Sequence, residues 1–490
     1  FFLNGSNQTL AGIQGSLGTY SQGIYNNTAN GYWASTLTLN TATDYASAQS
    51  VYRDASGGPQ YGNLKFVKQG AGRFLLGGYG TSATVGAIGN TGGIDVQGGF
   101  LQFSNTFASA TEATSVTYVA PGTAAGTAVG TGFLNVATGA TADLNGLNVA
   151  VDYLTGGGVI TNTGTSARTL TIGDLDNKDM ATGAAVSAIF SGVIADGTSG
   201  GTISLQKRGA GTQTLTAAQD FTAGFHILGG TLVLDMSGMA NPNNLIRQTN
   251  GLGLAGNLTV KGAASGTSSQ TFLGNTTVYG GASEVLGNAN GGTLTITLGT
   301  VTRSVANATL NFTAGTNVSY KNTGTDLTPS GWITYVGASS IDWAISTSNV
   351  IGAYSGYTVG LPTSASTATV NYVDTSTSVT LTAGETINSL KLAPATTAQT
   401  IVLGANTLTF TAVATTGPAG LLFDGTNAAS TITGTSAITT TVASGELVIY
   451  TGHTTGSGNP LTISTIIGGT NLTTVTKAGP DLLDLGSQAN

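Results

Sequence analysis

The sequence predicts an all-β protein in which many short strands stack along one direction. Charged residues make up only 7% of the 490 residues, against about a quarter in an ordinary soluble domain. Many short runs alternate between apolar and small polar residues, as strands with one buried face do. One peptide pattern also occurs three times, far apart in the chain, which is typical of a fold that grows by repetition.

The composition favours strands over helices. The chain is rich in threonine and valine, poor in lysine and glutamate, and contains 75 glycines. Hydrophobic residues reach 40% but occur in short clusters, and no long stretch keeps them at helical spacing. We expect Leu, Ile, Val and Phe to face inward and Thr, Ser and Asn to face outward. The clearest alternating runs are 36–39, 293–298, 407–410, 446–449 and 461–463.

Two architectures fit so many short strands: antiparallel sandwiches in tandem, or a parallel β-helix. The turns distinguish them. Tight hairpin turns such as Asn145-Gly146 and Asp424-Gly425 are few, and most runs are separated by longer Thr/Ser/Gly segments. The sequence therefore favours a parallel β-helix, with a length of about 95 Å if each coil takes about 25 residues and rises one strand spacing.

The repeated pattern is a lysine, a glycine turn and a strand. Its first copy contains Lys68, Gly70 and Gly72; its second contains Lys207, Gly209, Gly211, Gly229 and Gly230; its third contains Lys477 and Gly479. Glycine reaches positive φ where the chain turns between coils, and a solvated lysine is the simplest expectation for the residue before each turn. The glycines lead into strands rather than helices, so they do not form phosphate-binding loops.

The second copy, Ile203–Leu234, resembles the autotransporter-associated β-strand repeat of secreted bacterial surface proteins. The first copy matches at Lys68–Gly72 and at 98–101, whereas the third carries Pro480-Asp481 in place of Ala-Gly. The segments 342–344, 388–390 and 446–463 resemble coils that precede such repeats. The resemblance implies a right-handed parallel β-helix that is exported and displayed at, or shed from, the cell surface.

The copies divide the chain into three expected segments of coils. These are 1–200 with the first copy at 64–103, 201–340 with the second at 203–234, and 341–490, which ends inside the third at 475–490. We therefore expect further polypeptide or a neighbouring molecule to cover the last coil. Because the first residue is Phe1 and not methionine, we also expect either that a signal segment has been removed or that the chain was cut from something longer.

Charge and cysteine content restrict the function. The net charge is −7 without a basic patch, which argues against nucleic acid, and no segment is apolar enough for a membrane-spanning helix. Since there is no cysteine, disulfides, thiol catalysis and cysteine-bound metals are excluded. No residue pattern calls for a cofactor.

Few residues suit catalysis or ligand binding. His226 is expected in a strand wall and His453 in a solvated turn, and no nucleophile elbow accompanies them. Asp174, Asp176 and Asp179 form a weak calcium candidate, for which a solvated acidic turn is the favoured interpretation. Trp33, Trp332 and Trp343 are expected to cap coils or fill corners rather than to stack on sugars.

The sequence thus predicts an extracellular structural protein rather than an enzyme. It would be a rigid β-solenoid rod acting as adhesin, stalk or component of a self-assembling fibre, with end-to-end or lateral self-association and surface glycans as partners. The alternative is a glycan-degrading or glycan-binding β-helix.

Overall fold

The computed structural model describes residues 6–11, 23–25, 35–52, 64–78, 93–105, 115–116, 132–173, 185–364, 367–411, 417–442, 445–454 and 458–486. These residues form 45 strands and no α-helix, as the composition predicts. None of the described residues belongs to a helix that could cross a membrane. The chain divides into two compact units, Phe1–Gly253 with Asn257–Gly274, and Leu254–Gly256 with Asn275–Asn490.

Three parallel stacks of strands build the first unit. The first stack is β1 (Gln8–Leu10), β3 (Ser35–Asn40), β5 (Leu64–Gln69), β7 (Ile94–Val96), β10 (Leu134–Val136), β13 (Leu154–Gly156), β16 (Ser187–Phe190), β19 (Thr212–Leu215), β21 (Thr231–Asp235) and β23 (Asn257–Lys261). The second is β2 (Gly23–Tyr25), β4 (Tyr45–Tyr52), β6 (Arg73–Gly78), β8 (Phe100–Asn105), β11 (Thr141–Asp143), β14 (Val159–Thr161) and β17 (Val193–Ile194). The third is β9 (Ser115–Val116), β12 (Asn148–Val151), β15 (Arg168–Ile172), β18 (Ile203–Lys207) and β20 (Gly224–Ile227). Two more strands, β22 (Leu252–Leu254) and β24 (Thr267–Thr271), follow them in the chain.

The chain visits these stacks in a repeating order. It passes from β18 to β19, makes one bridge beside the second stack at Asp220, and continues into β20 and β21. We call one such circuit a layer. Equivalent residues of successive layers pair directly, so inward side chains form columns such as Leu37, Phe66, Ile94, Leu134 and Leu154. All five are almost completely buried, which gives the unit a continuous apolar interior.

The second unit begins with parallel strands and then changes to antiparallel pairing. Strands β25 (Thr276–Val278) and β28 (Val301–Arg303) pair in parallel, as do β26 (Ala282–Asn288) with β29 (Thr309–Ala314), and β27 (Thr293–Leu298) with β30 (Val318–Asn322). Strand β31 (Ile333–Val336) adds to β29, and β32 (Ile341–Thr347) and β33 (Val350–Ala353) follow in antiparallel order.

Parallel stacking resumes after this antiparallel section. One stack contains β34 (Thr358–Val359), β35 (Thr367–Asp374), β37 (Glu385–Leu392), β40 (Ala419–Asp424), β42 (Gly445–Gly452) and β44 (Leu472–Ala478). The other contains β36 (Ser378–Thr380), β38 (Gln399–Gly404), β41 (Ser430–Thr440), β43 (Leu461–Ile467) and β45 (Leu483–Leu485), and β39 (Leu408–Phe410) pairs with both β37 and β41.

Strands β40 and β42 are buried on both faces. One face joins the apolar core through residues such as Leu421 and Ile449, while the other lies against residues that precede β34. A Cβ placed on Gly420, for example, would lie 2.7 Å from the ring of Trp343. The alternation expected for 446–449 is therefore wrong, because Glu446 and Val448 are buried as well.

The remaining alternating runs behave as predicted where burial is described. Leu37 and Leu39 are fully buried between partly buried threonines, and 293–298 alternates along its whole length. Parallel pairing is confirmed over tandem antiparallel sandwiches, apart from the antiparallel pairs β30–β33, β31–β32 and β32–β33. The division into three segments stays a prediction.

Candidate functional site

The repeated lysine pattern forms a defined corner between two stacks. In the second copy, Lys207 ends β18 and points into the interior, in the same column as Ile172 and Ile227. Its side chain is completely buried, and Nζ donates to the carbonyl of Arg208 and to those of Gly209, at 3.0 Å, and Gly229, at 3.3 Å. The ammonium therefore ties a glycine turn to the equivalent turn of the next layer.

The glycines of this corner allow the two turns to touch. Gly209 and Gly230 have φ values of +67° and +58°, in the left-handed region that favours glycine. A Cβ on Gly230 would lie 2.3 Å from the carbonyl oxygen of Gly209 and 2.5 Å from that of Gly211. The turn that follows the lysine and the later glycine pair of the same repeat thus lie one on the other and together form one corner.

The first copy forms a corner of the same kind, between β5 and β6 instead of between β18 and β19. Lys68 is fully buried, and its Nζ donates to the carbonyls of Gln69 at 2.7 Å, Gly70 at 2.9 Å and Gly98 at 3.2 Å. Gly99 covers this turn as Gly230 covers the second, with a Cβ position 2.3 Å from the Gly70 oxygen. Burial lowers the pKa of Lys68 to about 8, and the negative charge of Asp44 acts in the opposite direction.

In the third copy the lysine has fewer partners. Lys477 continues the column of Leu390, Leu421 and Ile449, and Nζ donates to the carbonyls of Ala478 at 2.9 Å and Gly479 at 2.6 Å. Its side chain is exposed. The prediction of solvated lysines is therefore correct for Lys477 but wrong for Lys68 and Lys207. These two lysines are buried because each ammonium donates hydrogen bonds to three backbone carbonyls.

A ladder of polar and aromatic side chains lies on the outer face of the first stack. Asp95, Asn135 and Thr155 occupy paired positions, with Asn135 donating to Asp95 at 2.8 Å and Thr155 to Asn135 at 3.0 Å. The rings of Phe133 and Tyr153 stack beside them with centroids 5.7 Å apart, and both side chains are partly exposed. We call these five residues, together with Lys65, the lateral ladder.

Lys65 connects the two rows of the lateral ladder. Its ammonium lies 3.0 Å from Asp95 and 5.6 Å from the centroid of Phe133. Burial acts to raise the pKa of Asp95, but hydrogen bonds from Asn135, Lys65 and Gln97 outweigh it and hold the pKa below its usual value. The carboxylate is thus ionised at neutral pH.

A buried ion pair in the second unit joins β28 to β42. The guanidinium of Arg303 binds both carboxylate oxygens of Glu446, at 2.7 and 3.0 Å, while the backbone N–H of Asn307 donates to the same group. Burial would raise the pKa of Glu446, yet the bonds from Arg303 and Thr476 leave it lowered. The pair connects segments 143 residues apart in the chain.

A second buried pair joins β32 to β37. Nζ of Lys391 lies 2.5 Å from Oδ1 of Asp342, and the ring of Tyr357 lies beside the ammonium at 5.8 Å. Nearby, Asn371 accepts hydrogen bonds from Asn388 at 2.5 Å and from Ser389 at 2.6 Å. Buried polar contacts thus involve all three segments that resemble coils preceding such repeats, namely 342–344, 388–390 and 446–463.

The two histidines occupy different environments. His226 is partly buried on the outer side of β20, where burial lowers its pKa. His453 is not in a solvated turn: its side chain is only 24% exposed, and Nδ1 binds Oδ1 of Asp481. Asp481 is one of the two residues, Pro480-Asp481, by which the third copy differs from the Ala-Gly of the other two, and His453 is its hydrogen-bond partner.

The other candidates have little chemistry around them. Trp343 is completely buried and Trp332 is 9% exposed, so neither is open to a sugar, and Trp33 lies outside the described residues. Asp174, Asp176 and Asp179 also lie outside them. Across the described ranges, no group of three or more His, Asp or Glu side chains could hold a metal ion.

Some of these features carry a sequence signal and others do not. The lysine corner is visible as a repeated lysine before a glycine turn. The residues of the lateral ladder are scattered through the sequence from 65 to 155, and only the strand register shows which of them lie side by side. Both buried pairs combine residues that no local pattern connects.

Comparisons of the chain with protein-family profiles, curated proteins and solved structures give no match.

Proposed function

We propose that the chain is an extracellular structural protein of a bacterial surface, built as a rigid right-handed parallel β-helix. It acts as an adhesin, a stalk or a component of a self-assembling fibre. The observation that carries this proposal is the in-register parallel stacking in both units, with columns of buried aliphatic side chains. Such stacking supplies length and stiffness without requiring a reaction centre.

The placement of the reactive side chains supports a structural role. Asp374 accepts hydrogen bonds from Leu361, Ser376 and Gln399, and Glu446 holds Arg303. These two carboxylates, which could otherwise perform acid–base chemistry, thus hold other parts of the chain in place through hydrogen bonds. The low charge content and the apolar columns supply stability that does not depend on disulfides, since the chain has no cysteine.

Labelling of whole cells tests the location. An antibody against the second unit should stain intact cells of the source organism, and brief external protease treatment should remove the signal. Staining that requires cell lysis would contradict the proposal. Negative-stain electron microscopy of the purified chain should show rods or fibres, and compact spherical particles would contradict the β-helix.

Glycan binding is a second candidate, which the lateral ladder favours. Partly exposed aromatic rings beside an ionised carboxylate, an amide and a hydroxyl offer both stacking and hydrogen bonding to a sugar. Lys65 favours a glycan that carries acidic groups.

A glycan array tests this candidate. Tyr153→Ala should abolish binding of acidic glycans by the full chain, whereas Tyr279→Ala, at a tyrosine that is 39% exposed elsewhere, should retain it. Equal binding by both variants, or no binding by the unmodified chain, would remove the lateral ladder as a glycan site.

A further inference from the structure

The pair of Lys391 and Asp342 is unusual because it is both close and almost closed to water. The Nζ–Oδ1 distance is 2.5 Å, and the side chains are 7% and 9% exposed. The two residues are 49 positions apart in the chain, and each lies in a strand, β37 and β32. The fold thus holds an amine against a carboxyl group in a fixed geometry.

Two neutral hydroxyl groups also lie beside this carboxyl. Ser340 Oγ donates to Oδ2 of Asp342 at 2.7 Å, and the hydroxyl of Tyr357 lies close enough for the charge of Asp342 to raise its pKa. Burial, reinforced by the charge of Asp342, raises the pKa of Tyr357 well above its usual value, so the hydroxyl keeps its proton. The backbone N–H of Trp343 donates to the Tyr357 oxygen at 3.2 Å and fixes its position.

These surroundings favour a neutral product over the ion pair. Burial of two charges costs free energy that their attraction returns only in part. Groups held together by a fold react as if at very high local concentration. Hydroxyl donors directed at a carboxyl oxygen stabilise the negative charge that develops there during attack on the carbon.

From this geometry we propose that Lys391 and Asp342 condense into an intramolecular isopeptide bond after the chain has folded. The ammonium first passes one proton to the carboxylate, which leaves an amine and a carboxylic acid. The Nζ lone pair then forms a bond to Cγ, and Ser340 and Tyr357 donate to the oxygens of the tetrahedral intermediate. One C–O bond breaks, and the departing hydroxyl takes a second proton from Nζ and leaves as water. The third hydrogen of the ammonium remains on the amide nitrogen, so no other reactant is needed.

The bond would connect two differently built sections of the second unit. Strand β32 belongs to the antiparallel section, whereas β37 belongs to the parallel stack that follows it. A covalent connection there would close a loop of the chain and restrict its unfolded state, as a disulfide does in other proteins. This chain contains no cysteine for that purpose.

Intact-mass measurement of the purified full chain tests the proposal directly. The measured mass should be lower than the sequence mass by one water molecule, and digestion should yield one branched peptide containing both residues. Lys391→Arg should restore the full mass expected for its own sequence. Lys261→Arg is the matched control: Lys261 pairs with Asp235 at 3.1 Å, but both side chains are partly exposed to water, so this substitution should leave the loss of water unchanged.

A second measurement does not depend on whether Lys391→Arg folds. A protease site inserted in the exposed turn at residues 375–377 lies between the two linked residues. After cleavage, the two pieces should migrate as one species on a denaturing gel. Separation of the pieces, together with a full sequence mass and unlinked peptides for Lys391 and Asp342, would overturn the proposal.

Discussion

The corners at Lys207 and Lys477 have the same local pattern and opposite lysine environments. Lys207 ends β18 and Lys477 lies one residue before the end of β44; both occupy columns with aliphatic side chains and donate to the two carbonyls that follow them. Lys207 also reaches Gly229 in the next layer and is completely buried, whereas Lys477 makes no corresponding contact among the described residues and is exposed.

The difference separates the local part of the motif from the part that depends on stacking. The glycine turn folds the lysine back onto its own carbonyls in all three copies. Burial of the ammonium requires the glycine pair that covers the turn, Gly98-Gly99 or Gly229-Gly230. The lysine and the glycine pair, about twenty to thirty residues apart, therefore belong to one physical unit.

Substitution of the covering glycine should have the largest effect. Gly230→Ala combines a left-handed φ with a Cβ that meets two backbone oxygens, so we expect a loss of about 2–5 kcal/mol in the free energy of unfolding. Urea unfolding followed by circular dichroism measures it.

Gly266→Ala is the matched control for this substitution. Gly266 also has a positive φ, +74°, but its Cβ position has no atom within 4 Å. We expect a loss of only about 1 kcal/mol from backbone strain. Equal losses in the two variants would mean that the corner is not closely packed.

The pH dependence of stability should reveal the buried ammonium of Lys68. Its pKa is about 8 in the folded chain because of burial, against about 10.4 in an unfolded one. Between these values the unfolded state binds more protons, so stability rises with pH, by about 3 kcal/mol in total. Urea midpoints at pH 7.5 and pH 10, compared with those of Lys68→Met, isolate this contribution. Parallel changes in both proteins would exclude it.

Removal of the ammonium should distinguish the two kinds of corner. Lys207→Met leaves three backbone carbonyls without their buried donor, and we expect a loss of about 1–3 kcal/mol. Hydrogen exchange at Leu228 and Thr231, whose amides bond to the layer containing Lys207, should accelerate. Lys477→Met, at an exposed lysine, should stay within about 0.5 kcal/mol. Similar losses at both sites would show that the covering glycine contributes nothing.

The sequence predicts the features of this fold that depend on local pattern. Alternation identifies Leu37 and Leu39 as buried, and the repeats indicate where the glycine corners lie. Prediction from the alternating pattern fails where other residues cover the second face of a strand. Glu446 and Val448 occupy the positions expected to face outward, but both are buried, and Arg303 binds the carboxylate of Glu446. The burial of Lys68 and Lys207 is also hidden, since charge alone suggests solvent and only the register brings three carbonyls together.

The smallest expected effect concerns Asp481, at which the third copy differs from the glycine of the other two copies. Asp481→Gly restores the glycine found at Gly211, which the pattern alone would rate as an improvement. The structure predicts the opposite, a loss of about 1 kcal/mol, because His453 loses its hydrogen-bond partner.

Thermal unfolding, followed by the fluorescence of Trp332 and Trp343, measures this loss in the second unit. Combination of Asp481→Gly with His453→Ala completes a double-mutant cycle, in which the coupling should be about 0.5–1 kcal/mol. Stabilisation by Asp481→Gly, or additive effects of the two changes, would mean that the pair is incidental. A measurable coupling would instead show that the contact between His453 and Asp481 stabilises the corner of the third copy. In the second copy the equivalent position is Gly211, which packs closely against Gly230.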